Sequence, residues 1–210
     1  MNLKYHTLSE RFRKFYPVVI DIETTGCNYK IHALLEIAVV TLKMNKYGWL
    51  KKSKIIHFHV QPFQGAIIEQ KSLSFNQIDP YNPLRQAVKE MDVLKCIFDI
   101  VYQDMKINKC KKSILVAHNV QFDYNFLMQA IQRCNIKNHP FHNFITFDTT
   151  TLSSFAFGET VLSKSCKSAG LFFDHKQAHS ALYDSIQTAN LFCRLINKWK
   201  KLGEWPPNKQ

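Results

Sequence analysis

Glycine and proline are scarce in this chain of 210 residues, which has six glycines and seven prolines. Collagen-like and low-complexity proteins depend on these residues, so both classes are excluded. No CxxC pair is present, and each of the six cysteines lies at least 14 residues from the next. This spacing excludes a zinc-ribbon arrangement and a dense disulfide framework. We expect reduced thiols.

Long apolar runs are also missing. The first unbroken run, residues 16–20, is too short for a signal-peptide core or a membrane span. We therefore expect a cytoplasmic protein without a membrane association. With 46% apolar residues and 16 phenylalanines, the chain can bury a substantial core. No repeat or linker divides it, so we expect a single domain over 1–210, with a core at about 16–200 and an N-terminal basic segment at 1–15.

Acidic residues are few, since 16 Asp and Glu stand against 28 Lys and Arg and leave a net charge of +12. This excess favours polyanionic partners, with nucleic acid as the first candidate and a membrane surface as the second. Charge alone selects neither a fold nor a reaction.

Hydrophobic patterning predicts an α/β protein. Three β-rich runs separated by short connections suggest an antiparallel meander, and strands and helices alternate after it. The predicted strands cover 17–24, 34–42, 54–60, 113–119 and 144–150, and the predicted helices cover 84–105, 122–134, 152–170 (one or two short helices) and 181–201. This order predicts a mixed five-stranded sheet, three antiparallel strands followed by β-α-β-α additions, flanked by helices.

Several motifs of common enzyme classes are absent, namely GxGxxG, GxxxxGK[ST], HExxH and GxSxG. Nucleotide-cofactor and serine-hydrolase functions therefore lose their usual support. The histidine pairs His57/His59 and His139/His142 have no further ligands at zinc-like spacing, so we assign them no metal. The chemistry must come from acidic residues in unusual places.

Asp21 and Glu23 lie two residues apart on an apolar strand, so both side chains project from one face, about 7 Å apart. In one interpretation Asp21 merely ends the strand and Glu23 is solvated in the following turn. A divalent cation is at least as good an explanation for the pair, because oxygen ligands of this kind suit Mg²⁺ or Mn²⁺.

Two further acids occur near helix starts. Asp123 taken alone is a favourable helix N-terminal acid, and Asp184 taken alone is a solvated residue on the last helix. His179 precedes Asp184 by five residues, which on an ideal helix places the two side chains about 140° apart. The two therefore converge only if His179 lies on an irregular loop before the helix.

Three segments, VIDIETTG, HNVQFDYNFL and HSALYDSIQTA, resemble the three motifs of the DEDDh 3′-5′ exonucleases, in the same order. Further segments between about 11 and 206, among them RFRKFYPVVID, ALLEIA and VLSK, resemble the ribonuclease T subfamily. The resemblance implies a ribonuclease H-like fold and stepwise hydrolysis from a 3′ end with release of nucleoside 5′-monophosphates. It implies tRNA and other stable-RNA precursors as substrates, with single-stranded DNA as an additional one.

The same resemblance implies the site. Two Mg²⁺ ions, with Mn²⁺ as an alternative, would be held by the acids and the histidine of the motifs, and the histidine would be the general base. The metal and catalytic residues would be Asp21, Glu23, Asp123, His179 and Asp184.

The resemblance also implies that Phe75, Phe122 and Phe144 stack on the terminal bases, although most of the 16 phenylalanines must be core residues. Cys27 replaces an aromatic residue of the family pattern and Lys71 replaces an acid. Both differences bear on discrimination of the 3′-terminal base, so we include Cys27 among the substrate-binding residues.

The resemblance further implies a homodimer in which a basic patch of one subunit guides RNA to the site of the other. The candidates for this basic patch are Arg11, Arg13, Lys14, Lys106, Lys109, Lys111, Lys112 and Lys137. A solvated surface is an adequate explanation for any one of them. Two alternative functions stay open: a DNA proofreading or repair 3′-5′ exonuclease, and a catalytically silent RNA-binding module.

Overall fold

The computed structural model describes residues 7–203. Residues 1–6 of the predicted N-terminal segment and the end of the ribonuclease T-like region, 204–206, lie outside this range. The described part contains five strands and seven α-helices. The strands are β1 (Phe15–Thr24), β2 (Leu34–Met44), β3 (Leu50–His59), β4 (Lys112–Ala117) and β5 (Phe141–Asp148). The helices are α1 (Leu8–Arg11), α2 (Gln70–Asn76), α3 (Glu90–Ile107), α4 (Val120–Arg133), α5 (Thr149–Phe157), α6 (Leu162–Ser168) and α7 (Ala181–Gly203), with a 3₁₀ turn at Pro83–Arg85.

The five strands form one mixed sheet in the order β3-β2-β1-β4-β5. The β1, β2 and β3 strands are antiparallel, whereas β4 runs parallel to β1 and β5 runs parallel to β4. The predicted α/β class and mixed five-stranded sheet are confirmed.

Central strand β1 is buried on both faces, and Val18, Val19 and Ile20 have no exposed surface. Helix α7 packs against β1, β2 and β3, helix α3 packs against β2 and β4, and helix α4 packs against β1, β4 and β5. A strand covered on both faces is apolar without strict alternation, which explains why acids on β1 stand out.

The structure corrects two predicted elements and adds two helices. The helix predicted from residue 84 begins at Glu90, because Pro83 opens a 3₁₀ turn, Gln86 has a left-handed φ of 48° and Val88 forms a β-bridge with Val60. The third strand begins at Leu50 rather than at 54. Helices α1 and α2 were not predicted, since both span fewer than eight residues and carry too few apolar positions for a periodic pattern.

The N-terminal segment contributes to the core. Leu8 and Phe12 are buried in the main hydrophobic cluster, and the Phe12 ring lies 5.7 Å from that of Phe147 and 6.3 Å from that of Phe192. All six cysteines are unpaired. Within residues 7–203, no helix combines the length and the apolar character needed to cross a membrane.

Candidate active site

Asp21 and Glu23 lie on the part of β1 that extends beyond its pairing with β4. The β4 strand pairs only with residues 15–19 of β1, whereas β2 follows β1 to its end and places Glu36 opposite Glu23. The carboxyl end of β1 is therefore open on one side. Asp21 and Glu23 project there from one face, as the two-residue spacing predicts.

Helix α7 adds a third carboxylate to this pair. Oxygen atoms of Asp21, Glu23 and Asp184 all lie within 4.8 Å of one another; we call these three residues the acid cluster. The backbone N–H of His179 donates to Asp184 Oδ2 at 2.9 Å. Asp184 Oδ1 is buried and has no hydrogen-bond partner among the described residues. A buried oxygen of this kind is expected to need a ligand that the chain itself does not supply.

Asp123 lies beside the acid cluster rather than within it. It is in the first turn of α4 and only 4% exposed. Its carboxylate accepts a hydrogen bond from the backbone N–H of Ile22, and its charge raises the pKa of Asp21. The α4 start is thus attached directly to β1 between Asp21 and Glu23.

The pKa values show how unfavourable this arrangement is without a cation. Burial, followed by the charges of surrounding carboxylates, raises the pKa of Asp21 well above its usual range. Burial, with the charges of Asp184 and Glu36, raises the pKa of Glu23 to about 8, and burial raises that of Asp184. The charges that raise the Asp21 pKa, those of Asp123, Asp184, Glu23 and Glu36, are all carboxylates. The donor set, all oxygen and all anionic, fits a hard divalent cation.

His179 lies in the turn before α7, so the irregular loop required for it to reach Asp184 is present. Its φ is +66°, a left-handed conformation that turns the chain sharply into the helix. The imidazole is exposed to solvent, and its ring centroid is 4.0 Å from that of Phe75 on α2. The structure therefore brings Phe75 close to His179 and Asp184, from which it is distant in sequence.

The other predicted aromatic residues differ in their surroundings. Phe122 is half-buried beside Asp123 and packs on Phe126 with 5.0 Å between the ring centroids. Phe144 projects from β5 with 90% of its surface exposed. Phe75 is 63% exposed. Exposed phenylalanines cost solvation free energy, so Phe75 and Phe144 are better placed to contact a ligand than to support the core.

Two residues near the acid cluster were not identified from the sequence. Asn76 donates to the Thr24 carbonyl at 3.1 Å and to the Glu23 carboxylate, which opposes the rise in the Glu23 pKa. Glu36 is only 8% exposed, and its charge raises the pKa values of Asp21 and Glu23. An acid inside the apolar run ALLEIA was the available signal for Glu36; no comparable signal marks Asn76.

The basic patch candidates lie at the opposite end of β1. The Lys111 N–H donates to the Lys14 carbonyl at 2.7 Å, and Ser9 Oγ donates to the Lys109 carbonyl at 3.0 Å. The N-terminal segment and the loop before β4 therefore form one surface. From Lys14 to Asp21 the strand spans roughly 20 Å, so this surface is separate from the acid cluster of the same chain.

Comparison with known proteins identifies the family. A family model described as an exonuclease matches residues 18–192. Ribonuclease T of Buchnera aphidicola subsp. Cinara cedri is 61% identical over 203 residues, which cover 97% of this chain and 92% of the relative. Ribonuclease T of Cronobacter sakazakii is 57% identical over 205 residues, covering 98% and 92%. The chain belongs to the ribonuclease T family.

Solved structures agree on the fold of this ribonuclease T family member. The nuclease domain of 3′hExo, a DEDDh family member bound to rAMP, matches with a TM-score of 0.62 and 17% identity, over 93% of this chain and 96% of that one. E. coli exonuclease I in complex with a dT13 oligonucleotide matches with a TM-score of 0.66 and 14% identity, over 90% and 42%. The predicted ribonuclease H-like fold of the DEDDh exonucleases is confirmed.

Membership of the ribonuclease T family makes the chain a 3′-5′ exoribonuclease, a hydrolase whose substrates are nucleic acids. The acid cluster is a group of described residues on β1 and α7 whose oxygen atoms lie close enough together to hold a metal ion. Cys27 and Lys71, which the sequence resemblance suggests differ from the ribonuclease T pattern, are both exposed, so neither is required for packing.

Proposed function

We propose that this ribonuclease T family exoribonuclease trims the 3′ ends of tRNA and other stable-RNA precursors in the cytoplasm, releasing nucleoside 5′-monophosphates. The observation that carries the proposal is the acid cluster, in which three carboxylates converge with no cationic partner and Asp184 Oδ1 has no hydrogen-bond partner among residues 7–203. The single domain over 1–210, with its core at 16–200, is part of the same proposal.

Asp21, Glu23, Asp123 and Asp184 would together hold two Mg²⁺ ions, with Mn²⁺ as an alternative. Bound there, the ions would activate a water molecule and stabilise the negative charge on the departing 3′ oxygen. The fold of the chain holds the carboxylates close together despite their mutual repulsion. Strand β1 and the buried start of α4 do this through the Ile22 N–H bond to Asp123.

His179 would accept the proton of the attacking water on a ring nitrogen. Its backbone N–H donates to Asp184 Oδ2 at 2.9 Å, which anchors the His179 backbone beside the acid cluster while the imidazole stays exposed. The contact with Phe75 restricts the ring. A substrate base that stacks on Phe75, either in place of the His179 ring or beside it, would align the scissile phosphate with His179.

Phe75, Phe122 and Phe144 would stack on the last bases of the substrate, and Cys27 would lie next to them. Stacking tolerates any base and is worth about 1 to 3 kcal/mol for each contact. A residue as small as Cys27 provides no stacking face, so we expect discrimination among the 3′-terminal bases to be weaker than an aromatic residue would give. Single-stranded DNA is a plausible further substrate, which the binding of dT13 by exonuclease I supports.

The chain would act as a homodimer. The basic patch lies roughly 20 Å along β1 from the acid cluster, too far to contact the last nucleotide in the same chain. A partner subunit could present its own patch to RNA whose 3′ end is in this site. The residues assigned to the patch are Arg11, Arg13, Lys14, Lys106, Lys109, Lys111, Lys112 and Lys137.

Single-turnover digestion tests the proposal. A tRNA with extra 3′ nucleotides is compared with a mismatched DNA primer, each with Mg²⁺ and with EDTA, and products are resolved to one nucleotide. We expect faster trimming of the tRNA, dependent on Mg²⁺ and abolished by Asp21→Ala. Preference for the primer would indicate a proofreading or repair enzyme. Binding of the tRNA without hydrolysis by the unaltered chain would indicate a silent RNA-binding module.

A further inference from the structure

A second group of metal-ligand side chains lies on β2 and β3, outside the residues assigned to catalysis. His57 and His59 are two residues apart on β3 and so share one face of the sheet. Glu36 on β2 is the register partner of His59, a third ligand that the sequence spacing of the His57/His59 pair did not reveal, so the expectation of no metal at this pair is revised. The sheet itself therefore brings these three side chains together, and we call them the Glu36 cluster.

The separations in the Glu36 cluster match those of a metal site. Glu36 Oε2 is 3.4 Å from His57 Nε2, and Glu36 Oε1 is 3.1 Å from His59 Nδ1. One ligand atom from each residue can be chosen so that all lie within 4.8 Å of one another. Tetrahedral zinc with bonds of about 2 Å separates its ligand atoms by roughly 3.3 Å. Small adjustments of the imidazole rings would bring all three atoms to that spacing.

The two imidazole nitrogens are not satisfied by hydrogen bonding. His57 Nε2 and His59 Nδ1 are buried, and neither has a hydrogen-bond partner within the described range 7–203. Both nitrogens face the Glu36 carboxylate, at 3.4 Å for His57 and 3.1 Å for His59, and this contact lowers the pKa of Glu36. Buried polar atoms without partners are rare in folded proteins and frequently mark an ion or water. A cation placed between the rings and the carboxylate would engage both nitrogens at once.

Charge and ligand type select the kind of ion. Arg85 acts electrostatically on both Glu36 and His59 while its guanidinium donates to the Leu35 carbonyl at 2.6 Å. Its charge offsets that of Glu36, so the cluster offers little net attraction to a hard ion such as Mg²⁺. Imidazole nitrogens favour zinc and related transition metals through the bond itself.

We propose that Glu36, His57 and His59 form a binding site for Zn²⁺ that is distinct from the catalytic acids. Three protein ligands leave a fourth position for water. Glu36 also accepts a hydrogen bond from the backbone N–H of Ala181, the first residue of α7. An ion bound there would therefore fix the start of the helix that carries Asp184, and we expect it to raise the thermal stability of the chain.

Calorimetry with the full chain tests the site. The protein is stripped with chelator and dialysed into excess Mg²⁺, which occupies the catalytic acids, and is then titrated with Zn²⁺; Co²⁺ absorption reports nitrogen ligation. We expect binding of a single equivalent, a higher unfolding temperature and d–d bands for bound Co²⁺. The His57→Gln/His59→Gln double variant should lose more than about 100-fold in affinity, more than removal of an outer hydrogen-bond partner costs.

The matched control is His139→Gln, a half-buried histidine outside the cluster, which should bind Zn²⁺ as the unaltered chain does. If the double variant does not fold, the Asp21→Asn/Asp184→Asn variant replaces it, and Zn²⁺ must still bind there with unchanged affinity. No binding in excess Mg²⁺ would overturn the proposal, as would binding lost with Asp21 and Asp184 but retained without His57 and His59. In either case the Glu36 cluster is only a buried ion pair.

Discussion

Replacing Glu23 with Gln removes an ionisable carboxyl group from the acid cluster and keeps the size of the side chain. The pKa of Glu23 is raised to about 8 from an ordinary value of 4.5. In the unfolded chain Glu23 loses its proton near the ordinary value, whereas the folded protein keeps it up to about pH 8. The folded state thus binds more protons between these limits, and its stability falls as pH rises through that window.

The size of the effect follows from this difference. At pH 7 the folded state bears a cost of roughly 3 kcal/mol for Glu23, which Gln does not incur. In EDTA we therefore expect Glu23→Gln to stabilise the protein, raising the unfolding temperature by up to about 6–12 °C at pH 7. The gain should vanish below about pH 4.5, where both states of Glu23 are protonated.

Thermal unfolding by circular dichroism at pH 4, 6 and 8 measures this change, with Asp99→Asn on the exposed face of α3 as the control. In saturating Mg²⁺ the order should reverse, because Gln is a poorer ligand than an ionised carboxylate. An equal difference at every pH, or a variant that is less stable than the unaltered chain in EDTA at pH 8, would refute the electrostatic argument.

Other changes test the remaining roles. Asp184→Asn should abolish Mg²⁺-dependent trimming while RNA binding, measured by filter retention, persists; an unchanged rate would contradict the two-metal assignment. His179→Ala should lower kcat by about 10²- to 10⁴-fold with little change in KM. A rise in KM with little change in kcat would indicate a binding role instead. Phe75→Ala should weaken binding of a short single strand by about 1 to 3 kcal/mol, with Phe155→Ala as an exposed aromatic control. Lys109→Gln should reduce by about one the number of counterions released on tRNA binding, read from the slope of log K against log[salt]. The rate of cleavage of a dinucleotide should not change.

Much of the fold could be predicted because its central elements carry strong local patterns. The β1 and β2 strands are rich in β-branched residues, and α7 repeats apolar residues over more than 20 positions. The start of α3 could not be predicted in the same way. Val88 continues the helical spacing, but it pairs with Val60 across the fold, and that tertiary contact leaves no local signal.

The candidate site shows the same division. The two-residue spacing of Asp21 and Glu23 fixes their common face, and the five-residue spacing of His179 and Asp184 requires the turn that is found. Contacts between distant segments were not predictable. The Phe75–His179 contact joins α2 to the turn before α7, and the alignment of Glu36 with Glu23 depends on strand register.

The separation between the two ends of β1 sets a length scale for substrates. Stacked nucleotides advance by about 3.4 Å each along a strand, so the roughly 20 Å between Lys14 and Asp21 corresponds to about six nucleotides. A shorter oligonucleotide cannot touch both surfaces of one chain at the same time. In the proposed homodimer, an oligonucleotide shorter than this length at the acid cluster would therefore meet basic residues only if the partner subunit presents them.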